Sequence, residues 1–217
     1  MPSLLLASRN AHKAEEIQMI LGGMIKVWTL RQFPGAPPVV EDGKSYTANA
    51  VKKAVETAAW LTSQKANFPN GLPDFVLADD SGLEVDSLDG APGVHSARYA
   101  AEESGAAENS TDTANNARLL RELAAVPLEN RSAQFRCVLA LASLGRGQPL
   151  QTFEGVCQGR IAFAAGGVGG FGYDPLFIPE GQEKSFAELD PDIKNRISHR
   201  ARALEQLSGA LLSPGAT

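Results

Sequence analysis

Apolar residues in this chain fall into short continuous runs that alternate with helical stripes. Residues 4–7 are apolar and are followed at once by Ser8, Arg9 and Asn10; Ala14, Ile17, Ile20 and Leu21 then recur three or four apart up to Gly22-Gly23. That pattern predicts a strand, a turn and a helix with Asn10 as N-cap. A proline-rich stretch over 33–38 leads to Val39-Val40-Glu41-Asp42-Gly43. A second helix is expected from near Thr47, with Val51, Ala54, Val55 and Ala58 on its buried face and Lys52 and Lys53 beginning the opposite side. Residues 67–74, rich in Pro, Gly and Asn, read as a loop. The apolar run 75–78 stops at Asp79-Asp80-Ser81-Gly82, and 83–86 alternate as in a strand. The polar stretch 101–112 reads as a surface loop, with Thr111 or Asp112 capping a helix to about residue 125. Two longer strands are expected over 133–144 and 152–164, joined by a Gly/Pro turn. A short strand over 175–178 precedes a last helix that packs Leu204, Leu207 and Leu211, with Ser198 near its start. Crossovers and hairpins are mixed in this order, so the expected class is α/β with a mixed sheet.

Composition narrows the setting. At 217 residues and 43% apolar, the chain can bury about 70% of its unfolded surface and needs no disulfide or metal staple to fold. No repeat or long linker divides it, so 1–217 is expected to be a single domain. Its formal net charge of −5 excludes a generally basic nucleic-acid coat, though not a local cationic pocket. No apolar run approaches the ~20 residues of a membrane span. The opening segment carries no basic flank and its apolar run is too short for a secretory leader. Cys137 and Cys157 lie in separate strand-like segments with no CxxC pattern, and are expected to be buried thiols in a reducing compartment. A cytoplasmic protein that engages neither membrane nor nucleic acid is expected.

Four places carry candidate chemistry. Ser8-Arg9-Asn10-Ala11-His12-Lys13 lies between a strand and a helix, where unpaired N–H groups suit phosphate. Lys13 opposes the helix dipole there, which an anion would relieve; an ordinary cap with a solvated lysine is the other reading. At Asp79-Asp80, adjacent carboxylates repel one another unless a cation or hydrogen bonds offset them. On an extended backbone the two point to opposite sides, so only one need face a metal and the other can brace the turn. A strand-ending Asx turn completed by Gly82 competes with this. Residues 166–172 hold five glycines in seven, with Phe171 and Tyr173 able to stack a planar base; the alternative is a flexible loop. Lys194, Ser198, His199 and Arg200 supply donors suited to a ligand rich in acceptors; a structural histidine in a patch without a ligand is the other reading.

Together and in order, these pieces resemble the inosine triphosphate pyrophosphatase family. The blocks that carry the likeness are Leu6-Ala7-Ser8-Arg9-Asn10-Ala11-His12-Lys13, Ala78-Asp79-Asp80-Ser81-Gly82-Leu83, Gly90-Ala91-Pro92-Gly93 with Ser96-Ala97-Arg98-Tyr99, Gly169-Gly170-Phe171-Gly172-Tyr173-Asp174-Pro175 and Ile197-Ser198-His199-Arg200. The resemblance implies an elongated mixed β-sheet flanked by helices, with two lobes around a central substrate cleft, commonly as a homodimer. It implies magnesium-dependent hydrolysis of ITP, dITP and XTP to the monophosphate and pyrophosphate, which cleanses the nucleotide pool.

By position, the resemblance makes Asp80 the general base and, with Glu41, a metal ligand for one or more Mg2+ ions. It gives the Ser8–Lys13 block, with Asn10, Lys13 and Lys53, to the phosphate side and Ser81 to a substrate contact. Phe171, Gly172, Tyr173, Asp174, Lys194, His199 and Arg200 fall to base recognition. Val40 and Ala48 stand where the family often has acidic residues. Two other readings share the scaffold: a non-catalytic nucleotide-binding protein, and a pyrophosphatase preferring other modified nucleotides.

Overall fold

The computed structural model describes residues 1–65, 71–103, 105, 108–145 and 149–212. Residues 67–70 of the loop expected over 67–74, the tip of the Gly/Pro turn at 146–148 and residues 104, 106 and 107 of the expected surface loop lie outside the described residues. Six strands form one sheet: β1 (Ser3–Leu6), β2 (Lys26–Thr29), β3 (Phe75–Val85), β4 (Ser132–Ser143), β5 (Gln151–Ile161) and β6 (Phe177–Pro179). Their order is β2-β1-β3-β4-β5-β6. β1 is parallel to β2 and to β3, whereas β6 pairs antiparallel with β5, so the sheet is mixed. The helices are α1 (Ala11–Leu21), α2 (Tyr46–Ser63), α3 (Tyr99–Glu102), α4 (Asp112–Glu122), α5 (Pro191–Ile197) and α6 (His199–Leu212). Among the described residues no helix is long and apolar enough to cross a membrane.

The chain forms two compact units, each built from separated segments. The first comprises Met1–Asp80, Cys137–Gly155 and Arg200–Thr217, and the second Ser81–Arg136 and Val156–His199. In the first, Leu4 and Leu6 of β1, Phe75 and Leu77 of β3, and Cys137, Leu139 and Leu141 of β4 pack with Ile17 and Leu21 of α1 and Leu204 and Leu207 of α6. Strand alternation turns Leu5 and Val76 to the opposite face. Both are also fully buried, so the strands are covered on both sides and read as unbroken apolar runs. The second unit has its own core, where Phe135, Phe177 and Phe186 meet Leu83, Leu119, Ile161 and Tyr173. Cys137 and Cys157 are both free and buried.

Two local expectations are revised. β3 does not end at Asp79-Asp80-Ser81-Gly82 but runs through it, because both carboxylates find partners that let the ladder continue. In α2 the buried stripe is Tyr46, Asn49, Ala50, Lys53, Ala54, Thr57 and Leu61, while Val55 is exposed. Lys53 therefore lies on the inner face, which polar partners fill. The last helix holds as expected, with Ser198 closing α5 and standing directly before the start of α6. Finally, β2, α3 and α5, each short and weakly patterned, are additions to the expected elements, and α3 takes in residues 101 and 102 of the expected surface loop.

Candidate active site

In the first unit the geometry begins with Asn10, which caps α1 by accepting from the Lys13 amide at 3.1 Å. Ser8 Oγ accepts from the Asn10 amide, and Arg9 donates to the carbonyl of Ala36 at 2.6 Å, tying the segment to the proline-rich stretch. His12 is exposed beside Glu15. Lys13 turns inward, where its ammonium pairs with Asp79.

Alternation along β3 decides the rest. Phe75, Leu77 and Asp79 face α1 and α6, whereas Val76, Ala78 and Asp80 face α2. Asp79 is wholly buried. One carboxylate oxygen takes Lys13, and the other accepts Arg200 Nε at 3.0 Å and the Cys137 thiol at 3.2 Å. Burial opposes its charge, but Arg200 and then Lys13 outweigh that and hold its carboxyl well below the usual range. Burial likewise raises the Cys137 thiol. Arg200 also donates to Glu16 of α1, so its guanidinium is buried between two carboxylates.

On the α2 side, Asn49 Nδ2 donates to Asp80 Oδ2 at 3.1 Å, and Asn49 Oδ1 accepts from the Gly43 amide at 2.8 Å. A Cβ at Gly43 would lie 2.6 Å from that oxygen, so only glycine allows the approach. One helical turn on, Lys53 Nζ donates to Glu41 Oε2 and to the carbonyl of Asp79, both at 2.7 Å, and reaches Asp80 Oδ1 at 3.4 Å. Glu41 and Asp80 thus share the Lys53 ammonium. Burial raises the Asp80 carboxyl despite Lys53 and Lys13, and Glu41 pushes the same way. Glu41 is lowered: burial works against its charge, but Lys53 outweighs it. Burial would lower Lys53, but Asp80 and Glu41 raise it instead.

This donor set fits magnesium. Two facing carboxylates offer hard oxygen ligands, and the Lys53 ammonium between them offsets the repulsion of the pair. Among the described residues no group of three His, Cys, Asp or Glu side chains could hold a metal ion. Magnesium suits such a partial set, since it commonly takes one or two carboxylates and completes its shell with water and substrate phosphate.

The second unit carries Ser81, Phe171, Gly172, Tyr173, Asp174, Lys194 and His199. Asp174 Oδ2 accepts the Phe171 amide at 2.8 Å and Lys194 Nζ at 2.5 Å. Gly170 has φ +70°, and a Cβ there would strike that carboxylate, so the glycine density serves a tight fold around Asp174. Lys194 sits 5.0 Å from the Phe171 ring centre, a cation–π contact. The Tyr173 hydroxyl donates to the carbonyl of Ser96 at 2.9 Å. His199 is buried with its ring stacked on Phe135, 4.8 Å between centres and 13° apart in plane.

Geometry thus brings Glu41, Lys53 and Asp80 together on the α2 side of β3, Lys13 and Arg200 together around Asp79 on the other side, and Phe171, Asp174 and Lys194 together in the second unit, while His12 lies on the surface. Asn49 and Glu16 are additions that sequence reasoning missed. Asn49 had a readable signal, a polar residue one turn before Lys53 on an alanine-rich stripe; Glu16 had none, because its partner lies in α6.

The chain is similar in sequence to a dITP/XTP pyrophosphatase of Geobacter sulfurreducens, 48% identical over 212 residues and covering 97% of each chain. Its fold is similar to the solved Ham1 protein of Coxiella burnetii, with TM-score 0.78 and 39% identity over 97% of this chain and 98% of that one. The Ham1 protein of Staphylococcus aureus matches with the same TM-score at 34% identity, covering 96% and 97%. With the Ham1 family model matching residues 4–210, this chain belongs to the Ham1 family.

Proposed function

We propose that this protein hydrolyses non-standard purine nucleoside triphosphates, ITP, dITP and XTP, to the monophosphate and pyrophosphate, and that it does so with magnesium. The observation that carries the reading is Asp80, a buried carboxylate with a raised pKa held between Asn49, Lys53 and Glu41. Relatives named dITP/XTP pyrophosphatase align over nearly the full length, which supports the substrate class. The other expectations join the proposal: one catalytic domain of two lobes over 1–217, working as a cytoplasmic homodimer without nucleic acid or membrane.

Asp80 would act as the general base, taking a proton from the attacking water; a carboxyl raised above its ordinary value is better matched to that task. Lys13, Lys53 and the amides at the start of α1 would meet the triphosphate and offset charge on the leaving pyrophosphate. Magnesium bound by Asp80 and Glu41 would supply further charge neutralisation on phosphate oxygens. In the second unit, Phe171 would stack the base. Lys194 and His199 would offer donors to the 6-carbonyl that hypoxanthine and xanthine carry. Adenine presents an amino group there, and a donor left facing a donor is costly. Ser81 would touch substrate directly after Asp80. Arg200 falls within the same proposal, set by Asp79 and Glu16.

Product analysis tests the chemistry. With ITP and magnesium, pyrophosphate and IMP are expected in equal amounts. Orthophosphate and IDP would refute the bond assignment, and no products despite ITP binding would favour a non-catalytic nucleotide-binding protein.

A further inference from the structure

The Phe171–Asp174 turn is gripped from outside by two side chains of α4. Asp112 Oδ2 accepts the Gly172 amide at 2.6 Å, and Asn116 Nδ2 donates to the Gly172 carbonyl at 3.0 Å. Asp112 and Asn116 are four residues apart, one helical turn, so they present along one face of α4. One polar group of the turn's central residue is therefore met by each. The next residue on either side is bound elsewhere: the Phe171 amide goes to Asp174 and the Tyr173 hydroxyl to Ser96.

The anchor for this grip is firm. Thr111 caps α4 through the Ala114 amide, and Asn115, buried, accepts from the Ala100 amide at 2.8 Å. Leu119 packs in the apolar core of this unit. A surface glycine turn ordinarily leaves its peptide groups to water. Here both polar groups of one residue are spent on a single helix, next to the ring proposed to stack the base.

We infer that Asp112 and Asn116 are positioning residues that fix the Phe171–Asp174 turn, and with it the Phe171 ring and the Asp174-bound Lys194, for recognition of the purine base. They touch the turn and not the substrate. The inference rests on the base-binding role proposed above for Phe171 and Lys194. Loss of the grip lets the turn sample other conformations, so only a fraction of molecules is competent to bind and apparent affinity falls by that fraction. Chemistry at Asp80, in the other unit, is left intact.

The test compares Asp112→Ala, Asn116→Ala and Asp112→Asn with the unaltered protein. Direct ITP binding is measured by calorimetry, alongside kcat, KM and thermal unfolding. Asp112→Ala and Asn116→Ala should each weaken ITP binding and raise KM by roughly tenfold, with kcat within about twofold. Preference for ITP over ATP should narrow. Asp112→Asn keeps an acceptor for the Gly172 amide and should restore near-normal ITP affinity. Unchanged ITP affinity in both alanine variants, or a fall in kcat without a change in KM, would overturn the inference even if Tm drops. If the unaltered protein binds ITP without hydrolysing it, the pyrophosphatase reading fails while the binding series still decides the role of Asp112 and Asn116. If it binds no ITP at all, both fail.

Discussion

Arg200 donates from Nε to Asp79 Oδ2 at 3.0 Å in a place from which water is excluded, and the same guanidinium reaches Glu16. Asp79 in turn receives Lys13. The first turn of α6, the middle of β3 and the first turns of α1 are thereby joined by charge as well as by apolar packing. That arrangement is costly to disturb, because removing one member leaves another buried and unpaired.

Asp79→Asn is accordingly expected to destabilise the protein by about 3–5 kcal/mol. Urea unfolding monitored by circular dichroism checks this. A loss below about 1 kcal/mol would mean that Arg200 and Lys13 do not depend on Asp79.

Asp80 behaves differently despite being its neighbour. Its carboxyl is raised by burial, so neutralising it by Asp80→Asn relieves a desolvated charge. The variant should fold at least as well as the parent and still bind ITP, yet lose pyrophosphate release by at least about 10³-fold. Near-normal turnover would remove Asp80 from the role of base.

Asn49 orients Asp80 while holding the Gly43 amide. Asn49→Ala should lower kcat roughly tenfold, since a misdirected carboxylate loses alignment with the attacking water. Measured kcat and KM at saturating magnesium decide the matter; an unchanged kcat would make Asn49 a loop anchor alone.

Lys53→Met removes the ammonium shared by Glu41, Asp80 and the Asp79 carbonyl. A drop in kcat/KM of about 10²–10³ is expected, the scale for loss of one charge-stabilising donor. The magnesium concentration for half-maximal rate should rise as well, because two facing carboxylates lose the cation that holds them together. A titration of rate against magnesium measures both effects.

Much of the local structure around the candidate site was legible in the sequence, for reasons that differ by element. The run over 75–78 and the cap at Asn10 are local signals, set by alternation and by capping chemistry, and both hold in β3 and α1. The phase of α2 misled because Lys53 counts as polar in any pattern, yet three acceptors draw it to the buried face. Asp79 and Asp80 read as a strand end since adjacent acids usually stop a strand; Arg200, 121 residues away, is what lets β3 continue. Glu16, Asp112 and Asn116 were silent for the same reason, as each acts on a partner distant in the chain. The likeness to a known family supplied roles that spacing alone left open.

The most direct measurement is the initial rate of pyrophosphate release from ITP, XTP, GTP, ATP and dTTP, each with magnesium and with chelator. The account predicts release from ITP and XTP that requires magnesium, with little from ATP, GTP or dTTP. Comparable rates on ATP, or full activity in chelator, would contradict it.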